Sequence, residues 1–322
     1  MPAEARNVLA LTGGVGGAKL ALGLADCLAP EALHLVANTG DDFEHLGLHI
    51  SPDIDTLIYT LAGLSNPQQG WGLDGETFHA LEALGRLGGE TWFRLGDRDL
   101  ATHLWRSCQL AAGQTLQEVT AALARSLGVA QQVYPMCNEA VRTNVHCEGR
   151  VLPFQRYFVG ERCAPPVSGF AFDGIERAAP VPALRQLLDR GAFAQVVICP
   201  SNPFVSIDPI LQVPGLWQAL REQPAPVTLV SPIVAGAALK GPAAKMMAEL
   251  GVPASATGVA QHYARRYPGL LDHFVIDHSD GTLAADIAAL GMQAAVTSTV
   301  MTTREHKRAL AQFVLRLVES ER

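Results

Sequence analysis

Val8-Leu9-Ala10-Leu11-Thr12 runs directly into Gly13-Gly14-Val15-Gly16-Gly17, and from Ala18 the pattern turns helical. Leu20, Leu24 and Cys27 share one face of that helix, with Lys19 in its opening turn. A short apolar run bounded by glycines reads as a buried strand, and the change of period marks the helix. Strand, glycine turn and helix start form one βα unit. The same arrangement holds phosphate: glycines let the backbone approach, N–H groups point outward, and the helix dipole favours an anion. The spacing is not a Walker loop, because Lys19 lacks a glycine before it and a Ser/Thr after it. Ala18-Lys19 also stands where a dinucleotide fingerprint has its third glycine. The plain alternative is a tight turn with no ligand. A nucleotide or other phosphorylated ligand against Gly13, Gly14, Gly16 and Lys19 is the stronger reading.

Leu33–Ala37 reads as the second strand, and it ends in Asn38-Thr39-Gly40-Asp41-Asp42. Polar loops at the carboxyl ends of strands are where open α/β sheets bind ligands. Ser51 and Pro52 suit the N-cap and first position of the next helix, which places Asp53 in its first turn. Asp55, two residues on, points about 200° away, so the two carboxylates cannot face one point. Carboxylates at 41, 42, 53 and 55 near one sheet edge make a hard-metal site, with Mg²⁺ the suited ion. Turn and helix-dipole roles would explain the same acids without a metal. His45 and His49 stand i, i+4, but Gly47 between them weakens the helix that a zinc pair requires.

Farther on, Thr77–Leu84 and Leu100–Leu110 read as helices on either side of Gly96-Asp97-Arg98-Asp99, where Arg98 suits a phosphate or carboxylate. Thr115 and Glu118 form a capping box. Short β-like runs between about Gln131 and Val159, with a turn at Glu148-Gly149, look like a β-rich insertion at 131–180. It divides an α/β core into 1–130 and 181–322. The second part holds a strand ending at Cys199 and a rigid Pro200–Pro209 loop. Ser201, Asn202 and Ser206 offer neutral hydrogen-bonding groups there. Lys240 and Lys245 bracket a helix start at Pro242, a position that opposes the dipole unless an anion is present.

A net charge of −7 in 322 residues argues against a nucleic-acid surface, and no run approaches the length of a membrane span. The six cysteines are scattered and read as reduced. The expectation is a cytoplasmic globular protein.

Taken together and in order, Thr12–Lys19, Asn38–Asp42, Ser51–Thr56 with Gly70-Trp71-Gly72, Leu95–Asp99, Pro200–Pro209, Ser231-Pro232-Ile233 and Gly241–Met246 resemble the CofD family. These are the 2-phospho-L-lactate transferases of coenzyme F-420 biosynthesis (FbiA in actinobacteria). The resemblance runs nearly end to end, with Gly16-Gly17-Ala18 standing where many relatives have Gly-Thr-Pro before the lysine. It implies a Rossmann-like, doubly wound, mostly parallel sheet, a homodimer and Mg²⁺. It implies transfer of a phospholactyl or phosphoenolpyruvyl group from a guanosine diphosphate conjugate to the ribityl hydroxyl of the deazaflavin Fo, releasing GMP. By the matching motifs, Asp42 and Asp53 are expected nearest the metal, and Asp55 and Arg98 at Fo. Asp42 or Asp55 is the expected catalytic carboxylate. The glycine loop, Asn38, Ser201, Asn202, Ser206 and Lys245 are expected on the ligands, chiefly the guanylyl side. Two alternatives belong to other classes: a non-catalytic nucleotide-sugar-binding regulator of the same superfamily, and an NAD-dependent oxidoreductase. Against the latter, Asn38 stands where an acidic residue would hold the ribose.

Overall fold

The computed structural model describes residues 7–238 and 241–318, so Lys240 lies outside the described residues. Its centre is a sheet of seven strands: β1 (Asn7–Thr12), β2 (Leu33–Ala37), β3 (Gln132–Pro135), β4 (Phe193–Ile198), β5 (Val227–Val230), β6 (His273–Asp277) and β7 (Gln293–Thr297). Their spatial order is β7-β6-β5-β4-β1-β2-β3, and every pairing is parallel. This is the expected doubly wound α/β sheet, wholly parallel here. Strands covered on both faces read as continuous apolar runs, and β2, β5 and β6 are buried along their whole length.

Alternate residues of each strand feed two separate cores. Leu9, Leu11, Val196, Ile198 and Phe274 face one; Val8, Ala10, Val197, Val230 and Val275 face the other. The second core is roofed by α1 (Gly14–Ala25), α2 (Pro52–Leu61) and α7 (Arg304–Leu317). A β-carbon on Gly23 would strike the Lys307 carbonyl, so glycine is what lets α1 and α7 touch.

Two boundaries differ from the sequence reading. Gln132–Pro135 pairs with β2 in the central sheet, and the insertion proper is an antiparallel sheet of Arg142–Cys147 flanked by Arg150–Pro153 and Val167–Asp173. Its tight turn has Glu148 and Gly149 both at positive φ (49° and 73°), the conformation that a two-residue hairpin favours. The first helix begins at Gly14 rather than Ala18, so the glycine cluster is itself the first turn. Elsewhere the capping box of Thr115 and Glu118 is present and opens α4 (Leu116–Ser126). The expected 77–84 helix is His79–Arg86, and the next, α3, spans Asp97–Ala111. Asp97 explains both shifts: its carboxylate accepts the N–H groups of His79 and Ala80 at 3.0 Å each, capping one helix while starting the other.

Candidate active site

Strand order reverses between β1 and β4. The loops leaving their carboxyl ends border the crevice in which open α/β sheets bind ligands. Three glycines bring those loops into contact. A β-carbon on Gly13 would lie 2.7 Å from Ser206 Cβ and 2.8 Å from Asp53 Oδ2, one on Gly16 would meet the Pro200 carbonyl, and one on Gly17 would lie 2.5 Å from Ser201 Oγ. Gly14 differs: its φ is +65° and open space surrounds it. The N–H of Gly13 donates to Ser201 Oγ (3.1 Å) and that of Gly14 to Asp53 Oδ1 (2.8 Å). Lys19 is half-buried on the same helix.

Asn38, at the end of β2, joins three segments. Its amide donates to Asp53 Oδ2 (2.9 Å) and to the Val205 carbonyl (3.2 Å), and its own carbonyl accepts the Gly40 N–H (2.8 Å). Asp208 anchors the far end of the Val205 loop, lying 3.0 Å from both Tyr267 Oη and His262 Nε2. Within the loop, Asn202 Oδ1 accepts the N–H groups of Phe204 and Val205, so this residue caps its own turn. Ser206 is buried against Gly13.

Three acidic residues stand beside these loops. Asp41, Asp42 and Asp53 are all buried. Ser51 donates its hydroxyl to Asp42 Oδ2 at 2.8 Å instead of capping α2, and His49 Nε2 lies 3.1 Å from the same oxygen. Oδ1 of Asp41 and Oδ1 of Asp42 are buried with no hydrogen-bond partner. Burial pushes Asp53 up to about 6 against the Asn38 and Gly14 donors, and the charge of Asp42 adds to the rise. Asp41 goes well above the usual carboxylate range through burial and the nearby Asp53 and Asp42 charges. Buried carboxylate oxygens without hydrogen-bond partners are the kind of ligand that a hard divalent cation takes.

Asp55 faces the other way, as helix geometry requires. Arg106 clasps it through both terminal nitrogens, with Nη1 3.1 Å from Oδ2 and Nη2 closer still to Oδ1. Arg106 is 1% exposed; burial would lower its pKa, but the Asp55 carboxylate outweighs this and raises it. The sequence reading missed Arg106. The signal available was His103 and Arg106 at i, i+3, which turns both to one side of α3. Asp55, Asp99 and His103 place donor atoms within 4.8 Å of one another, an arrangement that could hold a metal. A cation there would meet the Arg106 guanidinium; Asp41, Asp42 and Asp53 do not bring three donor atoms that close to one another.

Arg98 is exposed and donates to the Asp74 carbonyl at 2.7 Å. Beside it opens a cavity of about 260 Å³ lined by Trp71, Glu76, Phe78, Arg94 and Asp99 among others. Gly70, in the same loop as Trp71, lies against Val15 of α1, which brings the cavity wall to the glycine helix.

Lys245 is in the first turn of α5 (Ala243–Glu249), where Pro242 is the N-cap and not the first helical residue. Its ammonium contacts Glu249 (2.6 Å) and donates to the Pro165 carbonyl (3.0 Å). The charge opposing the helix dipole is therefore answered within the chain, and no anion is needed to account for it. Lys245→Ala should not stabilise the ligand-free protein; we expect a loss below about 1 kcal/mol, the scale of a partly exposed pair. A melting temperature that rises on removing the lysine would show that dipole repulsion outweighs the Glu249 pair.

A family profile described as 2-phospho-L-lactate transferase CofD matches residues 8–311. The chain belongs to the CofD family. It is similar to a phosphoenolpyruvate transferase of Streptomyces griseus subsp. griseus, 38% identical over 321 residues covering 98% of this chain and 99% of the relative. It is likewise similar to a 2-phospho-L-lactate transferase of Methanosarcina acetivorans, 36% identical over 313 residues covering 97% and 99%. A solved UPF0052-family protein of Bacillus halodurans shares the fold at a TM-score of 0.66 and 15% identity, over 97% of this chain and 99% of that one. This CofD-family protein is a transferase, and the oxidoreductase alternative falls away. Among its described residues, no helix is long and apolar enough to cross a membrane.

Proposed function

We propose that the chain transfers a 2-phospholactyl or phosphoenolpyruvyl group from a guanosine diphosphate conjugate to a ribityl hydroxyl of Fo. A bond forms between the ribityl oxygen and the phosphorus that carries the organic acid. The bond from that phosphorus to the bridging oxygen breaks, GMP leaves with the electron pair, and the hydroxyl proton passes to a carboxylate. Such a displacement needs in-line positioning and charge neutralisation more than covalent help.

The observation that carries this reading is the buried Asp41–Asp42–Asp53 group, with its unpartnered oxygens, beside the glycine helix start at the sheet's switch point. Asp42 and Asp53 would hold Mg²⁺, which when bound neutralises diphosphate oxygens. Asn38 and the N–H of Gly14 orient Asp53, and Ser51 and His49 orient Asp42. The Ser201–Ser206 loop and the glycine turn border the donor. Trp71 and Phe78 would offer an aromatic wall to the deazaflavin, near Arg98 and on the side of α3 that carries Asp99. Two chains form the working unit in this reading, which sedimentation would check. Incubation with Fo, Mg²⁺ and each guanylylated donor, followed by weighing the products, tests the reaction. Absence of GMP and of any mass gain on Fo with every donor would sink it.

The cation should also be visible without substrate. Asp53 sits at about 6 in the folded chain against 3.8 ordinarily. As pH rises through that window the unfolded carboxylate ionises first, so the folded state loses stability and stays penalised above it. A bound cation removes the penalty. Millimolar Mg²⁺ should therefore raise the melting temperature near about pH 8 and have little effect near about pH 5, where Asp53 is protonated. An equal Mg²⁺ shift at both values would place the ion elsewhere.

A further inference from the structure

The cavity beside α3 has one end made of rings and one of charge. Trp71 stands 48% exposed at it, and the Arg94 guanidinium lies 4.3 Å from the centroid of the Phe78 ring. Of its two carboxylates, Glu76 is already spent. Its oxygens accept the N–H groups of Arg98 and Asp99 at 3.1 Å each, at the start of α3. A carboxylate on the first N–H groups of a helix is satisfied there. Asp99 is different, because its partners lie behind it.

Those partners are buried side chains from two helices. Tyr59, on α2 and 1% exposed, donates its hydroxyl to Asp99 Oδ1 at 2.8 Å. His103, one turn along α3 and also 1% exposed, has Nε2 3.4 Å from Asp99 Oδ2. Arg106 Nη1 lies 3.2 Å from His103 Nδ1. Arginine can only donate, so Nδ1 accepts and the histidine proton is on Nε2, facing Asp99. The rear face of Asp99 thus meets one hydrogen-bonded donor, Tyr59, with His103 Nε2 close by but outside hydrogen-bond geometry. A carboxylate has about four acceptor positions, which leaves capacity toward the cavity. Burial raises this carboxyl, but the His103 and Tyr59 contacts outweigh it and hold it below the usual range.

We propose that Asp99 selects the acceptor, taking a hydrogen bond from an N–H or O–H on the aromatic ring that enters this cavity. The inference rests on the transferase reading above and adds to it the ring-reading residue. A carboxylate facing aromatic walls favours a neutral ring with a donor edge and repels an anionic one. The cavity thereby orients the acceptor with its ring inward and leaves phosphate to the glycine loop and the acidic group. Tyr59 and His103 act as positioning residues.

The test is titration of ring fluorescence in the full chain with Fo, with Fo methylated at the pyrimidinedione N–H, and with Fo methylated at the ring hydroxyl. Wild type should bind Fo and lose about 10–100-fold with one of the two blocked analogues, identifying the donor. Asp99→Ala should weaken Fo by a similar factor and bind the parent and that analogue equally, with GDP affinity unchanged. If Asp99→Ala does not fold, Asp99→Asn, which keeps the shape and one acceptor, should retain the fold and lose most of the discrimination. Wild type failing to bind any of the three rings would overturn the acceptor reading itself. Wild type discriminating while Asp99→Ala discriminates equally would overturn only the role of Asp99, as would parallel loss of Fo and GDP. His103→Gln adds a readout that simple packing would not move: the acid limb of Fo binding should shift to higher pH.

Discussion

Arg106→Ala is expected to lower the stability of the ligand-free protein by about 3–5 kcal/mol, the cost of leaving a buried charge without its partner. In a chain of this size that is a fall of roughly 10 °C in melting temperature. Arg106 and Asp55 are 1% and 5% exposed, and the guanidinium grips the carboxylate with both terminal nitrogens. Removing the arginine leaves Asp55 in a site that cannot solvate it, with only His103 Nδ1 at 3.7 Å. The loss should shrink as pH falls, because protonating Asp55 removes the stranded charge. The double variant Arg106→Met with Asp55→Leu should recover much of the loss, since apolar replacements of a buried pair are often near neutral. A single variant within about 1 kcal/mol of wild type would mean that water reaches Asp55 and that the pair is not a keystone between α2 and α3.

Asp53→Asn is expected to reduce transfer by on the order of 10²–10³-fold, the scale of losing one charge-stabilising group at a reacting centre, while the protein stays folded. Two local effects on stability oppose each other. Replacing the carboxylate relieves the burial and repulsion that push Asp53 up to about 6. Against that, an amide has one acceptor oxygen for the two donors, Gly14 N–H and Asn38 Nδ2, now at 2.8 and 2.9 Å. We expect a melting temperature close to wild type and loss of the Mg²⁺-induced rise. Transfer assayed over a range of Mg²⁺ separates the cases. Activity restored by excess Mg²⁺ would show a weakened site. Activity near wild type throughout would assign the metal to other residues. A variant lost to unfolding would return Asp53 to a scaffold role, as the junction of the β1, β2 and β4 loops.

Much of this molecule is written in short-range pattern. The parallel strands were legible because burial on both faces leaves Leu33–Ala37 and Val227–Val230 apolar at all but one position each, His34 and Thr228. The capping box at Thr115 and Glu118, the turn at Glu148-Gly149 and the opposed directions of Asp53 and Asp55 all follow from local geometry. The ordered motifs also identified the family. Tertiary structure alone decided what each polar group does, because hydrogen-bond partners are chosen among side chains far apart in sequence. Gly16 and Gly17 sit in the helix, against their own propensity, where Pro200 and Ser201 leave no room for a β-carbon. Ser51 has an N-cap's identity, yet its hydroxyl goes to Asp42, nine residues earlier. Lys245 looks uncompensated until the insertion brings the Pro165 carbonyl to it and Glu249 folds back. Arg106 reads as one more helix arginine until Asp55, 51 residues away, takes both its nitrogens. Periodicity reports which face is buried; only the folded chain decides which charges are buried together, because pairing free energy depends on distance and dielectric, and neither is set by neighbours in sequence.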